Sequence, residues 1–176
     1  MCKYRVAKKK EIIQLPECIE KFKKDVEGNE LIQFTKFDDE SLQLTFSLKP
    51  SKNSKWFGAV YRFSANLNEA TDILPKNITA VDLIFHPNIS ATETNNNDFT
   101  ISEVALKEDW NASFDLYKAI YNFYENFFEK EKLNLDSPLN NYAADLYKKD
   151  INEFNKAVEN SLFGQTIDGV QYYKHK

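Results

Sequence analysis

The sequence is poor in glycine, and this shortage limits the chemistry that the chain can perform. Only four of its 176 residues are glycine, and neither a GxGxxG nor a GxxxxGK[ST] pattern is present. A loop that cradles phosphate needs closely spaced glycines, because its backbone must approach the phosphate oxygens. The usual classes of nucleotide-binding enzyme are therefore disfavoured.

Cysteine is equally scarce, and long apolar runs are missing. Cys2 and Cys18 are too few for a disulfide framework, and no CxxC or mixed Cys/His pattern predicts a metal site. No apolar run approaches the roughly 20 residues that cross a bilayer, and the basic start lacks the apolar segment and cleavage site of a secretory signal. We therefore expect a cytoplasmic protein with no metal, no other cofactor and no membrane partner, with Cys18 as a small core residue.

Histidine, the commonest general base, occurs only at positions 86 and 175. On a strand over residues 78–85, Asp82 would share a face with His86 and could orient it as a base. No nucleophile motif completes such a site, so a histidine that hydrogen-bonds to a neighbour at the end of a strand is the favoured interpretation. The small number of candidate catalytic residues disfavours an enzyme but does not decide whether the protein is one.

Charge is unevenly distributed along the chain. The net charge is −4, whereas residues 1–10 carry five cations and no acid, so the remainder carries −9. An acidic body disfavours nucleic-acid binding, since phosphate contacts need a basic surface, and it fits a basic protein partner. We interpret residues 1–10 as a basic N-terminal arm and residues 11–176 as a single domain.

Aromatic residues, by contrast, make up 14 % of the chain and are concentrated in residues 109–132. Six of them recur at alternating steps of four and three, namely Trp110, Phe114, Tyr117, Tyr121, Tyr124 and Phe128. A second apolar row runs beside the first, and together the rows cover an arc of about 160° of a helix. This pattern predicts an amphipathic helix that lies on a sheet, with a second helix against its flank.

Alternation of apolar and polar residues marks the sheet. Residues 42–48 alternate strictly, as expected for an antiparallel strand with one buried face. Four further strands are predicted at residues 31–37, 56–64, 78–85 and 99–106. Residues 88–98 are predicted as a polar loop.

Helices and a short hairpin complete the predicted fold. A short helix should end at Gly28, and a long one should begin at Pro138, kink or break near Lys149 and end at Gly164, before a terminal hairpin. The predicted class is a single α+β domain. It has a short N-terminal helix, an antiparallel sheet of about five strands and two long C-terminal helices packed on one face.

The first functional hypothesis is a non-enzymatic protein-binding domain, such as a small acidic inhibitor of a basic partner. Immunity proteins that neutralise nuclease toxins have this general character. Asp38, Asp39 and Glu40 form the densest acidic run, in a predicted turn, and would attract the partner. Tyr172 and Tyr173 would serve as exposed aromatic anchors.

The alternative is a small-ligand-binding protein or enzyme with a pocket between the sheet and the aromatic helix. Tyr117, Tyr121 and Tyr124 would supply hydroxyl groups, and His86 an imidazole, in an otherwise apolar cavity. No catalytic or metal-ligating residue is assigned under either hypothesis.

Overall fold

The described residues, 14–67, 78–102 and 116–176 of a computed structural model, contain an antiparallel sheet of six strands in the order β1-β2-β3-β4-β6-β5. The strands are β1 (Ile32–Asp38), β2 (Gln43–Leu48), β3 (Tyr61–Asn66), β4 (Ile78–Ala80), β5 (Ile89–Glu93) and β6 (Phe99–Ile101). The predicted α+β class is confirmed, with six strands in place of about five.

Helices precede and follow this sheet, and a short hairpin lies near the C-terminal end. The helices are α1 (Gln14–Asp25), α2 (Leu116–Tyr124), a π-helix (Glu125–Glu129) that continues α2, α3 (Asn141–Lys149) and α4 (Ile151–Leu162). The hairpin consists of β7 (Thr166–Ile167) and β8 (Val170–Gln171). No helix in the described part of the chain combines the length and apolarity needed to cross a membrane.

The two faces of the sheet follow the alternation in the sequence. Phe34 pairs with Phe46, and Phe46 pairs with Phe63, so three phenyl groups align across β1, β2 and β3 on the face that the helices cover. On the other face, the hydroxyl groups of Thr35 and Ser47 lie 3.2 Å apart. The prediction of one apolar and one polar face for residues 42–48 agrees with this arrangement of β2.

The aromatic helix packs on this phenyl row. Phe123 and Phe127 meet Phe63 edge-on at 5.4 and 6.3 Å, and Phe128 stacks on Tyr61 at 5.7 Å. Helix α1 contacts α2, as the width of the apolar face predicts. The helix was predicted over residues 109–132. Its first residues lie outside the described part of the chain, and its described part ends earlier than predicted, at Glu129.

A change of helix type explains how neighbouring aromatic residues both reach the core. The N–H of Lys130 donates to the carbonyl oxygen of Glu125 at 2.7 Å, which is the i to i+5 pattern of a π-helix. Adjacent residues of an α-helix diverge by about 100°, whereas this wider turn lets both Phe127 and Phe128 be buried. The helical periodicity therefore changes after Tyr124.

The predicted break near Lys149 is confirmed. Asp150 ends α3 and also caps α4, because its carboxylate accepts the first free N–H groups of α4. The predicted start at Pro138 is wrong. The N–H groups of residues 139 and 140 donate to the carbonyl oxygen of Pro87, and the helix begins only after Asn140, which caps it.

Two predicted strands are shorter than expected. The strand predicted over residues 56–64 begins at Tyr61, because Trp56 lies in a turn and its indole N–H donates to the carbonyl oxygen of Phe85. The strand predicted over residues 78–85 ends at Ala80, and the carboxylate of Asp82 accepts the N–H of Arg62 in place of a ladder bond.

The predicted polar loop at residues 88–98 contains β5. This strand lies at the edge of the sheet and pairs with β6, with an irregular register between them. Because an edge strand keeps one side in water, its polar composition resembles that of a loop.

Candidate functional site

Four residues from three separate segments form a hydrogen-bonded polar group, in which three members are buried and Asn134 is half-buried. We call this group the asparagine cluster: His86, Asn88, Ser102 and Asn134. Asn88 is its centre. The side-chain amide of Asn88 donates to the carbonyl oxygen of Asn134 at 2.7 Å and accepts the N–H of Asn134 at 2.9 Å. The carbonyl oxygen of Asn88 accepts the N–H of Ser102 at 2.9 Å. The cluster thus ties the end of β6 to the segments before β5 and after the π-helix.

His86 is wholly buried within this group, and both of its ring nitrogens are occupied. Nδ1 accepts the N–H of Asn88 at 3.0 Å, so the proton is on Nε2, which donates to the carbonyl oxygen of Phe127 at 3.1 Å. Burial lowers the pKa of His86 to about 3, and the bond to Phe127 only partly opposes this effect. His86 is therefore a neutral structural residue, as the favoured interpretation of the sequence held.

The suggested partner of His86 lies elsewhere. The carboxylate of Asp82 accepts hydrogen bonds from the guanidinium of Arg62 at 2.7 and 3.2 Å and from the N–H of Arg62 at 2.7 Å. These bonds hold the side chain of Asp82 against Arg62 of β3 and away from the imidazole of His86. The hypothesis that Asp82 orients His86 as a general base is wrong.

Ser102 is the member of the cluster that carries a hydroxyl group. Its side-chain oxygen lies 3.4 Å from the amide nitrogen of Asn134, and the residue is 7 % exposed. Within the described residues, the groups that hydrogen-bond to Ser102 belong to Asn134 and Asn88, and neither is a base. A serine hydroxyl without an adjacent base is a weak nucleophile.

A second polar constellation fixes the loop between β2 and β3. The carboxylate of Glu129 accepts the N–H and the hydroxyl of Ser51, each at 2.9 Å, and also bonds to the hydroxyl of Tyr124. Burial, together with the Glu129 carboxylate, raises the pKa of Tyr124. Farther along, Glu131 bonds to Lys55 and, at 3.2 Å, to Tyr147. These contacts hold the loop against the π-helix.

The tyrosines of the predicted pocket lie side by side, with ring centroids 6.1 and 6.2 Å apart, but their hydroxyl groups bind separate partners. Tyr124 is bound to Glu129, as above, whereas Tyr117 accepts a hydrogen bond from the amide of Asn29 at 3.2 Å and Tyr121 donates to Glu125 at 3.3 Å. The Glu125 carboxylate raises the pKa of Tyr121. The phenyl groups described above fill the space between helix and sheet.

A groove of about 280 Å³ lies elsewhere, between α3, α4 and the β7–β8 hairpin. Tyr142 and Leu146 line it from α3, Glu153 and Lys156 from α4, and Ile167 from the hairpin. It is separate from the tyrosines of the predicted pocket.

The predicted partner-binding residues also lie apart. Asp38 is the last residue of β1, and Asp39 and Glu40 lie in the predicted turn that follows it. Hydrogen bonds from Ser41 and Glu40 lower the pKa of Asp38. Tyr173 is exposed.

Tyr172 was predicted to be exposed, and this is wrong. It is 4 % exposed and its ring meets that of Phe85 at 5.8 Å, with burial raising its pKa to about 12.

The sheet separates the acidic turn from the C-terminal tail. Asp38 pairs with Gln43 at one end of β2, whereas Tyr61 pairs with Leu48 at the other end and contacts the ring of His175. Five residue steps along a strand amount to roughly 17 Å. The acidic run and the start of β3, where the C-terminal tail packs, are therefore separated by roughly 17 Å.

Comparison with known proteins identifies the fold and the family. The family model described as "Ubiquitin-conjugating enzyme" matches residues 17–162, a stretch that contains the sheet, the π-helix, α3, α4 and the asparagine cluster. The chain belongs to the ubiquitin-conjugating enzyme family. Membership contradicts the hypothesis of an acidic inhibitor of the immunity-protein kind, which is wrong.

Individual members of the ubiquitin-conjugating enzyme family are similar over most of the chain. The NEDD8-conjugating enzyme UBC12 of Kluyveromyces lactis is 28 % identical over 159 residues, which cover 88 % of this chain and 81 % of that protein. The NEDD8-conjugating enzyme UBC12 of Saccharomyces cerevisiae is 31 % identical over 133 residues, covering 76 % and 65 %.

Solved structures of the family share the fold. "S. cerevisiae Ubc12" superposes with a TM-score of 0.70 at 23 % identity, over 93 % of this chain and 84 % of that one. A putative ubiquitin-conjugating enzyme from Plasmodium yoelii gives a TM-score of 0.64 at 21 % identity, over 86 % and 92 %.

Sequence reasoning missed three members of the asparagine cluster, Asn88, Ser102 and Asn134. Asn88 and Asn134 are 46 residues apart, and asparagine is common in this chain, so no local pattern connects them. The available signal was the pair His86-Pro87, a proline turn that ends an apolar run.

Proposed function

We propose that this protein acts in the conjugation of a ubiquitin-like modifier of the NEDD8 class. The observation that carries the proposal is the 28 % identity, over 88 % of the chain, to a protein named as a NEDD8-conjugating enzyme. A second relative with the same name supports it. A protein partner follows from the family, and NEDD8 is the partner that these relatives favour.

Joining one protein to another through an amide bond is acyl transfer, which needs a nucleophile and donors for the developing oxyanion. The asparagine cluster offers amide groups and one hydroxyl, that of Ser102, at the end of β6. Because this hydroxyl lacks a base, we expect the protein to hold the modifier mainly by noncovalent contact and to form an adduct slowly. Cys18, the cysteine in the described residues, is buried in α1.

Substitution of Ser102 tests the site. The protein is incubated with ATP, a NEDD8-activating enzyme and fluorescent NEDD8, and adducts are resolved on gels with and without reductant. Ser102→Cys should raise the adduct yield by about tenfold, because a thiolate is the better nucleophile, and should turn the adduct into a thioester, which a thiol reagent cleaves by exchange. Ser102→Ala should remove any residual adduct. Cys2→Ser in each background is the control for the cysteine outside the described residues.

The same assay separates the two parts of the proposal. If ubiquitin with its own activating enzyme charges Ser102→Cys as well as NEDD8 does, the assignment to NEDD8 is wrong. If neither modifier charges Ser102→Cys although its melting temperature is unchanged, the asparagine cluster is not the transfer site.

The acidic turn remains a proposed contact for a basic segment of the protein partner, with Tyr173 as a separate proposed anchor. Asp38→Asn with Glu40→Gln should slow association and flatten its dependence on salt. An unchanged association rate at low salt would contradict this role.

Three predictions from the sequence stay predictions. They are a cytoplasmic location, the basic arm at residues 1–10 and the single domain over residues 11–176.

A further inference from the structure

The C-terminal tail is anchored by two inward-facing side chains, and the residues between and after them are exposed. Tyr172 and His175 point inward, where their rings meet Phe85 at 5.8 Å and Tyr61 at 5.0 Å. The N–H of His175 donates to the carbonyl oxygen of Leu162 at 2.7 Å. The tail is therefore held between the end of α4 and the start of β3.

Large apolar side chains are exposed on both sides of this tail. Phe57, Val60, Phe163 and Tyr173 are 44, 47, 46 and 55 % exposed, and they are four of the seven large hydrophobic residues exposed in the described part of the chain. Phe163 forms a backbone bridge with Lys174, and the ammonium group of Lys176 lies 5.9 Å from the ring of Phe57. We call these six residues the tail surface: Phe57, Val60, Phe163, Tyr173, Lys174 and Lys176.

The charge of this region is opposite to that of the whole chain. Residues 49–62 contain four cationic side chains and no Asp or Glu, and residues 170–176 contain two lysines and no Asp or Glu, in a chain of net charge −4. Arg62 is paired with Asp82, and Lys55 with Glu131. Lys174 and Lys176, beside the apolar groups, are exposed.

We propose that the tail surface docks an acidic protein segment that carries apolar anchor side chains. Exposed aromatic and aliphatic groups provide the anchoring area, since contiguous apolar patches on soluble proteins mark interaction sites. The lysines beside them select for acidic residues next to those anchors. This docking role goes beyond modifier transfer and involves none of the asparagine cluster.

Two other occupants fit the surface less well. A nucleic acid would be repelled by the acidic remainder of the chain, and Val60 and Phe163 offer no contact to phosphate. The basic arm at residues 1–10 has the same sign of charge as the surface. An acidic peptide satisfies both the apolar and the charged groups.

Fluorescence anisotropy with three labelled probes tests the proposal on the full chain. The first probe is a short acidic peptide with one phenylalanine and one leucine. The second keeps its charges with glycine in place of both anchors, and the third keeps the anchors with lysine in place of the acids. A single-stranded oligothymidine is the fourth ligand. Chemical shifts of the ¹⁵N-labelled protein report where each one binds.

The first peptide should bind at least about tenfold more tightly than the other three ligands. It should change the chemical shifts of residues 57–62 and 173–176. Its affinity should fall as the salt concentration rises. Tyr173→Ala with Lys174→Glu should weaken its binding by about tenfold, consistent with loss of one anchor. Ile151→Ser with Lys156→Glu is the matched control, because Ile151 is 43 % exposed and both residues lie on α4.

Several results would overturn the docking proposal. They are no binding of the acidic peptide at about 1 mM, equal binding of the lysine peptide or tighter binding of the oligothymidine, and equal weakening by the control pair. Melting temperatures of all variants show whether a loss of binding reflects unfolding.

Discussion

The imidazole of His86 lies parallel to the ring of Phe127, with centroids 3.7 Å apart and planes within 10°. The same residue accepts the Nε2 proton through its carbonyl oxygen, so one phenylalanine holds the histidine both by stacking and by a hydrogen bond. Because Nδ1 of His86 accepts the N–H of Asn88, the position of the asparagine cluster depends on this stack. Phe127 is therefore both a core residue and a support for the asparagine cluster.

Acidification should destabilise the protein through His86. Its pKa falls from 6.5 to about 3 on folding, so the unfolded chain binds the proton first. The resulting stability is fully present above pH 6.5 and is lost as pH falls from there toward 3. Between pH 7.5 and 5 the loss should be roughly 2 kcal/mol, measured by urea unfolding. His86→Asn should flatten this dependence more than His175→Gln does. Parallel curves for wild type and His86→Asn would contradict the assignment.

Truncation of Phe127 should be costly. Phe127→Ala removes a ring that contacts Phe63, Phe123 and His86, and should lower the free energy of unfolding by about 3 to 5 kcal/mol. Phe163→Ala, at an exposed phenylalanine, should cost less than about 1 kcal/mol. If the thermal midpoints of the two variants were equal, the packing of the aromatic helix would be misassigned.

Loss of the Glu129 carboxylate should loosen the loop between β2 and β3. Glu129→Ala leaves the N–H of Ser51 and the hydroxyl of Tyr124 each with one hydrogen-bond partner fewer, which should cost about 1 to 3 kcal/mol. Hydrogen exchange at Ser51 should accelerate. Glu159→Ala, at an exposed position on α4, provides the control. Unchanged exchange at Ser51 would show that the loop is held by other contacts.

Alanine substitution at two glycines with the same backbone conformation should distinguish the cost of backbone strain from the cost of steric contact. Gly164 and Gly169 both have φ of +76°, but a Cβ at position 164 would lie 3.1 Å from backbone atoms of Lys174, whereas nothing lies within 4 Å of one at position 169. Gly169→Ala should cost about 1 kcal/mol from the conformation alone. Gly164→Ala should cost roughly 1 to 3 kcal/mol more, because the tail must move. Equal losses in urea unfolding would mean that the tail is not packed there.

Much of the fold was predictable because its signals are local. The strict alternation of residues 42–48 follows from one buried face of β2, and the polar residue Asp150 within an apolar stripe marked the break between α3 and α4. The strand ends were not predictable, since they depend on partners distant in sequence. Residues 81–85 resemble a strand in composition, yet Asp82 bonds to Arg62, 20 residues earlier.

The candidate site was largely unpredictable for the same reason. Net charge predicts the character of a surface and aromatic content predicts a core, but many folds have the same charge and aromatic content, so neither locates a site. The asparagine cluster forms only when the segment after the π-helix meets the segment before β5, and none of its members is unusual in its own neighbourhood. Family membership therefore emerged from comparison over residues 17–162, and not from any one motif.

The π-helix makes this part of the protein sensitive to the number of its residues as well as to their identity. Deleting one residue from Glu125–Glu129 would restore an ordinary α-helical turn and rotate everything that follows by about 100°. The carboxylates of Glu129 and Glu131 would then turn away from Ser51 and Lys55, although no side chain in either pair had changed. A one-residue deletion here should consequently do more damage than most substitutions in the same turn, and a compensating insertion just downstream should restore the contacts that follow it.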